Sequence, residues 1–162
     1  MATITIFQPV RKLLLLVVAA LSMIPSAIAD EKATARKELD VWGGVVYATN
    51  GTPKAGYNNV TAKLNQQLSK IAPNYKTFQL LGDRTEPVLT AYESWVVPTR
   101  EFFYKVDYKG KTSAGHTMLG LQVWHEKKVL VKTDANVKPG NPIVIQGPKW
   151  GEGQVIFVIN LK

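Results

Sequence analysis

The 162-residue chain has no cysteine, and this absence excludes several kinds of chemistry. Disulfide bonds, thiolate metal sites and cysteine nucleophiles are all ruled out. A bacterial lipid anchor is ruled out too, because it is attached to a cysteine at the signal cleavage point. The folded part must therefore be stabilised by its hydrophobic core alone, for which a chain of this length is sufficient.

Histidine is scarce as well, with only His116 and His125 present. If both lie on one strand, their odd separation directs them to opposite faces. No nearby acid or third ligand accompanies either one, so the sequence predicts no metal site.

Catalytic signatures are also missing. No serine lies in a G-x-S-x-G elbow, and no phosphate-binding or dinucleotide-binding fingerprint occurs. Glycoside hydrolysis needs two carboxylates on converging surfaces, whereas Asp83 with Glu86 and Glu93 with Glu101 flank predicted turns. The sequence therefore designates no catalytic residue and no cofactor. A hydrolase whose acids meet only in the fold is the third-ranked hypothesis.

The N-terminal segment has the composition of a secretory signal peptide. The basic pair Arg11 and Lys12 precedes the uncharged, mostly apolar run 13–24, which Pro25 breaks. This order of positive, apolar and breaking residues is that of a cleavable signal. A membrane-spanning anchor is the alternative, but such an anchor needs about 20 apolar residues, and this run is shorter.

Signal cleavage is predicted between Ala29 and Asp30, after the small-x-small pattern formed by Ala27 and Ala29. The predicted organisation is a cleaved signal over residues 1–29, a flexible leader over 30–38 and a single globular domain over 39–162. The chain is expected to be exported, to a periplasm or to the medium, with no stable membrane span after cleavage. The missing cysteines favour a bacterial source.

The chain is basic, but its cations are mostly lysine. The formal net charge is +8, of which Arg11 and Lys12 carry two, so residues 30–162 carry +6. Recognition of phosphate and base edges favours arginine forks, and the arginines after residue 29 are few and scattered. No nucleic-acid partner is therefore predicted. The lysines indicate a solvated surface, with attraction to an anionic envelope polymer as the alternative.

One segment has the periodicity of an amphipathic helix. Its apolar positions are Val60, Leu64, Leu68 and Ile71. Asn58 or Asn59 can cap its start, and Pro73 ends it. The apolar stripe is expected to pack on a sheet, with a partner-binding surface as the alternative.

The remaining segments alternate between strand and turn patterns. The run 155–159 is apolar on both faces and predicts a central strand covered by the helix on one side and a further layer on the other. Gly43 and Gly44 interrupt the predicted first strand, 39–48, and indicate a bulge or a close backbone approach. The expected fold class is α+β and β-rich, with one amphipathic helix packed on a mostly antiparallel sheet.

A glycine-rich hairpin connection over residues 147–153 holds one tryptophan. Exposed aromatic side chains on rigid loops serve sugar stacking and protein binding. Lys149, Trp150 and Glu152 are therefore the predicted ligand or partner surface. The alternative is that Trp150 folds back over the sheet and pins the turn.

The segment 137–147, whose sequence is VKPGNPIVIQG, resembles the strand, Pro-Gly, strand pattern near the end of the secretin pore domain. The resemblance is confined to this segment, and Pro148 stands where that pattern has a second glycine. It implies only a β module located in the cell envelope.

The leading functional hypothesis is a non-enzymatic exported module that binds another cell-envelope protein, because the chain combines an export signal with a β domain lacking a catalytic set. A sheet edge such as 87–97 could accept a partner strand. The alternative is a glycan or polysaccharide-binding module that uses the Trp150 loop.

Overall fold

The alternating and continuous apolar runs form nine strands and one helix in a computed structural model, which describes residues 36–162. The elements are β1 (Lys37–Thr49), β2 (Asn58–Asn59), α1 (Ala62–Ile71), β3 (Thr77–Leu89), β4 (Ser94–Val96), β5 (Phe102–Lys111), β6 (Thr117–His125), β7 (Lys128–Val137), β8 (Ile143–Trp150) and β9 (Gly153–Leu161). The predicted signal peptide, its cleavage residues and most of the predicted leader lie outside the described residues. Within the described part of the chain, no helix has the length and apolar character that a membrane crossing requires.

The strands form two antiparallel sheets. Sheet A has five strands in the order β2-β3-β1-β9-β8, and sheet B has four in the order β4-β5-β6-β7. Sheet B packs against one face of sheet A, and α1 packs against the other. The expected α+β, β-rich class is confirmed, with a second antiparallel sheet as the additional layer.

Helix α1 forms where the apolar spacing predicts it and ends just before Pro73, as predicted, but its N-terminal cap differs from the prediction. Asn58 and Asn59 form strand β2, so neither caps the helix. Thr61 is the cap, and its Oγ1 accepts a hydrogen bond from the Leu64 amide at 3.4 Å. Leu68 is fully buried, whereas Ile71 is 48% exposed.

Strand β9 is buried on both faces, as its sequence predicts. Ile156 and Val158 pack beneath α1, and Val155, Phe157 and Ile159 pack between the two sheets. The alternation of these residues between the two clusters follows from the two-residue period of a strand. β9 therefore connects both hydrophobic clusters of the molecule.

The two glycines of β1 permit close approaches from opposite sides. A Cβ atom on Gly43 would lie 2.7 Å from Cε2 of Tyr104, which projects from sheet B. A Cβ atom on Gly44 would lie 2.5 Å from the Trp42 ring on the α1 side. The Tyr104 hydroxyl donates a hydrogen bond to the Gly44 carbonyl at 2.6 Å and so joins the two sheets.

Strand β3 is longer than the sequence predicts. The sequence pattern predicts a strand over residues 75–81 that ends at Gly82-Asp83, but β3 continues to Leu89 and pairs with β1 along its length. Gly82 is needed for a different reason, because a Cβ atom there would lie 2.3 Å from the Pro98 carbonyl oxygen. This glycine lets the segment after β4 cross close to sheet A.

Candidate functional site

The face of sheet B that points away from the core carries three aromatic side chains in contact with one another. Trp95 on β4, Phe103 on β5 and Trp124 on β6 form this group, which we call the aromatic patch. The Trp95 ring centroid lies 5.7 Å from that of Phe103 and 5.8 Å from that of Trp124, and the centroids of Phe103 and Trp124 are 6.0 Å apart.

Strand register brings the patch together. Phe103 lies directly opposite Trp124, and Trp95 lies opposite Lys105, one outward position along β5. Val129 on β7 lies opposite Trp124 and extends the apolar surface. Trp95 is 39% exposed and Val129 is 38% exposed, so this face is accessible to a partner.

Trp124 contributes a polar feature to the patch. Its Nε1 atom is screened from solvent and has no hydrogen-bond acceptor among residues 36–162. An indole N–H that is buried usually finds a partner, and an unpaired donor costs about 1–3 kcal/mol. The patch therefore has both an apolar surface and an unpaired donor beneath it.

Charged residues border the patch along the same face. Lys105 forms ion pairs with Glu93 and, at 3.7 Å, with Asp107. The hydrogen bond that Lys105 donates to Glu93 raises the pKa of Lys105 above its ordinary value, and the nearby Asp107 adds to this increase. A further pair joins Lys109 to Asp134 at 2.6 Å. The outer face of sheet B thus combines an apolar end with a polar end.

The structure places the predicted residues Lys149, Trp150 and Glu152 together at the hairpin between β8 and β9. Gly151 occupies the turn with a φ of 59°, a left-handed conformation that glycine adopts without strain. Lys149 and Glu152 are exposed, and Trp150 is half-buried beside the core.

Trp150 folds back towards the sheet. Its ring meets the ring of Tyr47 edge to face at 5.8 Å, and the Lys54 ammonium lies 3.5 Å from its centroid. Lys54 is held by Gln79, whose buried side chain accepts from the Lys54 amide and donates to the Lys54 carbonyl. One face of the Trp150 ring is therefore occupied by a cation from the same chain.

The histidines and acidic residues that were candidates for metal binding or catalysis do not form a common site. His125 stacks on Phe102 at 4.6 Å, at the far end of β6 from His116. Among the described residues, no group of three metal-ligating side chains is close enough to hold a metal ion. Glu86 pairs with Arg84, and Asp83 accepts a hydrogen bond from the Trp42 indole.

Trp95 and Trp124 lie in strand-like runs of the sequence, which predicts a position in the core or on a sheet face for each. The alternation of residues 102–108 groups Phe103 with the polar residues Lys105 and Asp107. The structure places both tryptophans on the outer face of sheet B.

No known protein family, no curated protein and no solved structure matches this chain.

Proposed function

We propose that the protein is a non-enzymatic binding module of the cell envelope that docks on another envelope protein through the outer face of sheet B. The observation that supports this proposal is the aromatic patch of Trp95, Phe103 and Trp124. The export step rests on the signal-peptide pattern of residues 1–29.

Three features of this face suit a protein partner. Tryptophan is among the residues that dominate binding energy in protein interfaces, and such residues are surrounded by less important contacts that exclude water. The charged pairs around Lys105 give the face a polar rim, which favours one orientation of a partner. β4 is an edge strand of sheet B, so backbone groups are available beside the patch.

The geometry of the patch favours a protein over a glycan. The plane of the Trp95 ring is inclined by 54° to Phe103 and by 57° to Trp124, whereas the Phe103 and Trp124 rings are within 11° of parallel. Such rings offer an uneven surface that side chains can fill, not a flat platform for successive sugar rings. The glycan alternative at Trp150 requires the ring face that Lys54 leaves open.

The test uses Trp95→Ala with Tyr57→Ala as the matched control, because the two side chains are 39% and 41% exposed and only Trp95 belongs to the patch. The tagged protein is recovered from gently cross-linked envelopes of its own host. Wild type and Tyr57→Ala are expected to recover the same partner, even in moderate salt. Trp95→Ala is expected to lose it, because an aromatic residue at the centre of an interface contributes about 2 kcal/mol or more.

Equal recovery by Trp95→Ala would contradict the proposal. Loss of the partner with Trp150→Ala, and not with Trp95→Ala, would move the interface to the hairpin of Lys149, Trp150 and Glu152. Recovery with polysaccharide alone would favour the glycan alternative.

A further inference from the structure

A cavity of about 270 Å³ lies between α1 and the face of sheet A that α1 covers only in part. It is on the opposite side of the molecule from the aromatic patch, because sheet B packs on the other face of sheet A. Its walls are apolar, with a few polar side chains at the rim and base. Small-molecule sites generally have this composition.

A fixed tryptophan forms one wall of the cavity. The Trp42 indole lies over Gly44, where the missing Cβ makes room for the ring. Its Nε1 donates a hydrogen bond to Oδ2 of Asp83 at 2.7 Å, which sets the orientation of the ring. Leu64 of α1 and Val158 of β9 complete the apolar wall.

An unpartnered acceptor lies beside this ring. Asn160 is the cross-strand neighbour of Trp42, and it also lines the cavity. Its Oδ1 atom is screened from solvent and has no hydrogen-bond donor among residues 36–162. Because an unpaired buried acceptor costs free energy, a ligand that supplies a donor to this atom would be favoured. Since Oδ1 is screened, the Asn160 side chain must turn towards the cavity to meet that donor.

Donors approach from the helix side. Lys63 and Gln67, on the turn of α1 that faces the opening, both line the cavity. A ligand group that donates to Asn160 and accepts from Gln67 or Lys63 would pair both sides. A hydroxyl group is the simplest chemical group that does both.

We propose that this cavity binds a single saccharide ring, with one apolar face against Trp42 and hydroxyl groups directed to Asn160 and Gln67. An inorganic anion would meet Lys63 and Lys162 but would also face the acceptors Asp83 and Asn160, and a wholly apolar ligand would leave Asn160 unpaired. Ligand sites for drug-sized molecules span about 300–1,000 Å³, so the smaller volume here accommodates one ring.

The test is a titration of the isotope-labelled protein followed by two-dimensional NMR. The probes are glucose, galactose and N-acetylglucosamine, each as the free sugar and as the terminal unit of a short oligosaccharide. At least one sugar is expected to shift the Trp42 indole and Asn160 amide signals in a saturable way at millimolar concentration. Preference for the free or the linked form distinguishes a free sugar from the end of a glycan.

Two variants check the site. Trp42→Leu is expected to weaken binding by about 5- to 150-fold, the range that corresponds to stacking on one aromatic side chain. Gln67→Ala is expected to weaken it by about 2- to 12-fold, as the loss of one hydrogen bond predicts. Gln66→Ala, an exposed neighbour that does not line the cavity, serves as the matched control and should bind as wild type does.

The proposal is overturned if no sugar produces a saturable shift at Trp42 and Asn160, or if Gln66→Ala weakens binding as much as Gln67→Ala. It is also overturned if inorganic phosphate or benzene occupies the cavity and the sugars do not. Trp95→Ala should leave sugar binding unchanged. The sugar-binding proposal and the sheet B interface proposal can therefore fail independently of each other.

Discussion

The hydroxyl of Tyr104 is a buried polar group that joins the two sheets across the core. Tyr104 projects from sheet B, is almost fully buried, and donates to the Gly44 carbonyl of sheet A. Burial raises the pKa of the Tyr104 phenol far above its ordinary value, because the charged form would lose its hydration. The folded protein therefore keeps this phenol protonated where an unfolded chain would release the proton.

This shift predicts a loss of stability at alkaline pH. Below the unfolded pKa of about 10 the phenol is protonated in both states, so Tyr104 adds no pH dependence. Above it only the unfolded chain ionises, and the free energy of unfolding should fall by about 1.4 kcal/mol per pH unit from this group. Urea denaturation between about pH 7 and pH 11 measures the fall.

The matched variant is Tyr104→Phe, which removes the titrating group and keeps the ring. At neutral pH it should be less stable by about 1–2 kcal/mol, since the hydrogen bond to Gly44 is lost. Its stability should then decline less steeply above about pH 10 than that of wild type. Parallel declines for the two proteins would show that Tyr104 does not titrate as proposed.

At the scale of single elements, the start of α1 offers a direct comparison between two capping residues. Thr61 accepts from the Leu64 amide at 3.4 Å, near the long limit for a hydrogen bond. We expect Thr61→Ala to lower the free energy of unfolding by about 0.5–1 kcal/mol, the lower part of the range for a lost cap. Asn59→Ala is the control and should change stability little, because Asn59 is exposed in β2. A larger loss of stability with Asn59→Ala than with Thr61→Ala would indicate that Asn59, one of the two caps predicted from the sequence, caps the helix.

Elements with a strong local hydrophobic period could be predicted from the sequence. Elements whose length depends on a neighbouring strand could not. Leu64 and Leu68 recur at helical spacing, so α1 can be predicted without knowledge of the sheet on which it packs. Residues 155–159 of β9 are all apolar, so the burial of this strand on both faces can also be predicted from the sequence. β3 continues past Gly82 because β1 supplies a pairing partner along its length, and no local pattern contains that information.

The aromatic patch shows the same limit for the candidate site. Alternation places Phe103 on the outer side of β5, but it does not show which residues of β4 and β6 lie beside it. That depends on register, including an irregularity in the β6–β7 pairing between Val123 and Trp124. The Asn160 and Trp42 pair is likewise a product of β1–β9 pairing. A site formed by cross-strand neighbours that are distant in sequence can be predicted only when the sheet order is known.

At the scale of the whole molecule, one core serves both sheets, and this predicts cooperative unfolding. Phe157 of sheet A contacts Phe102 and Tyr104 of sheet B, with ring centroids 5.4 and 6.0 Å apart. Neither sheet can expose its inner face without exposing that of the other. We expect a single thermal transition with the same midpoint by circular dichroism and by tryptophan fluorescence, as for other small domains. Separate midpoints would indicate that the sheets unfold independently.

The pairing of β9 with β1 has a consequence for the order of events during synthesis. Val41 of β1 pairs with Leu161 of β9. One edge of β1 therefore stays unpaired until β9, the last strand in the chain, is available. Contacts between such distant parts of a chain form slowly, because a long loop must close before they contribute. A ribosome releases residues from the N-terminal end at a limited rate, so we expect sheet A to close only after nearly all of the chain has emerged. For the export that we propose, this delay would keep the polypeptide in the unfolded form that a narrow translocation channel requires.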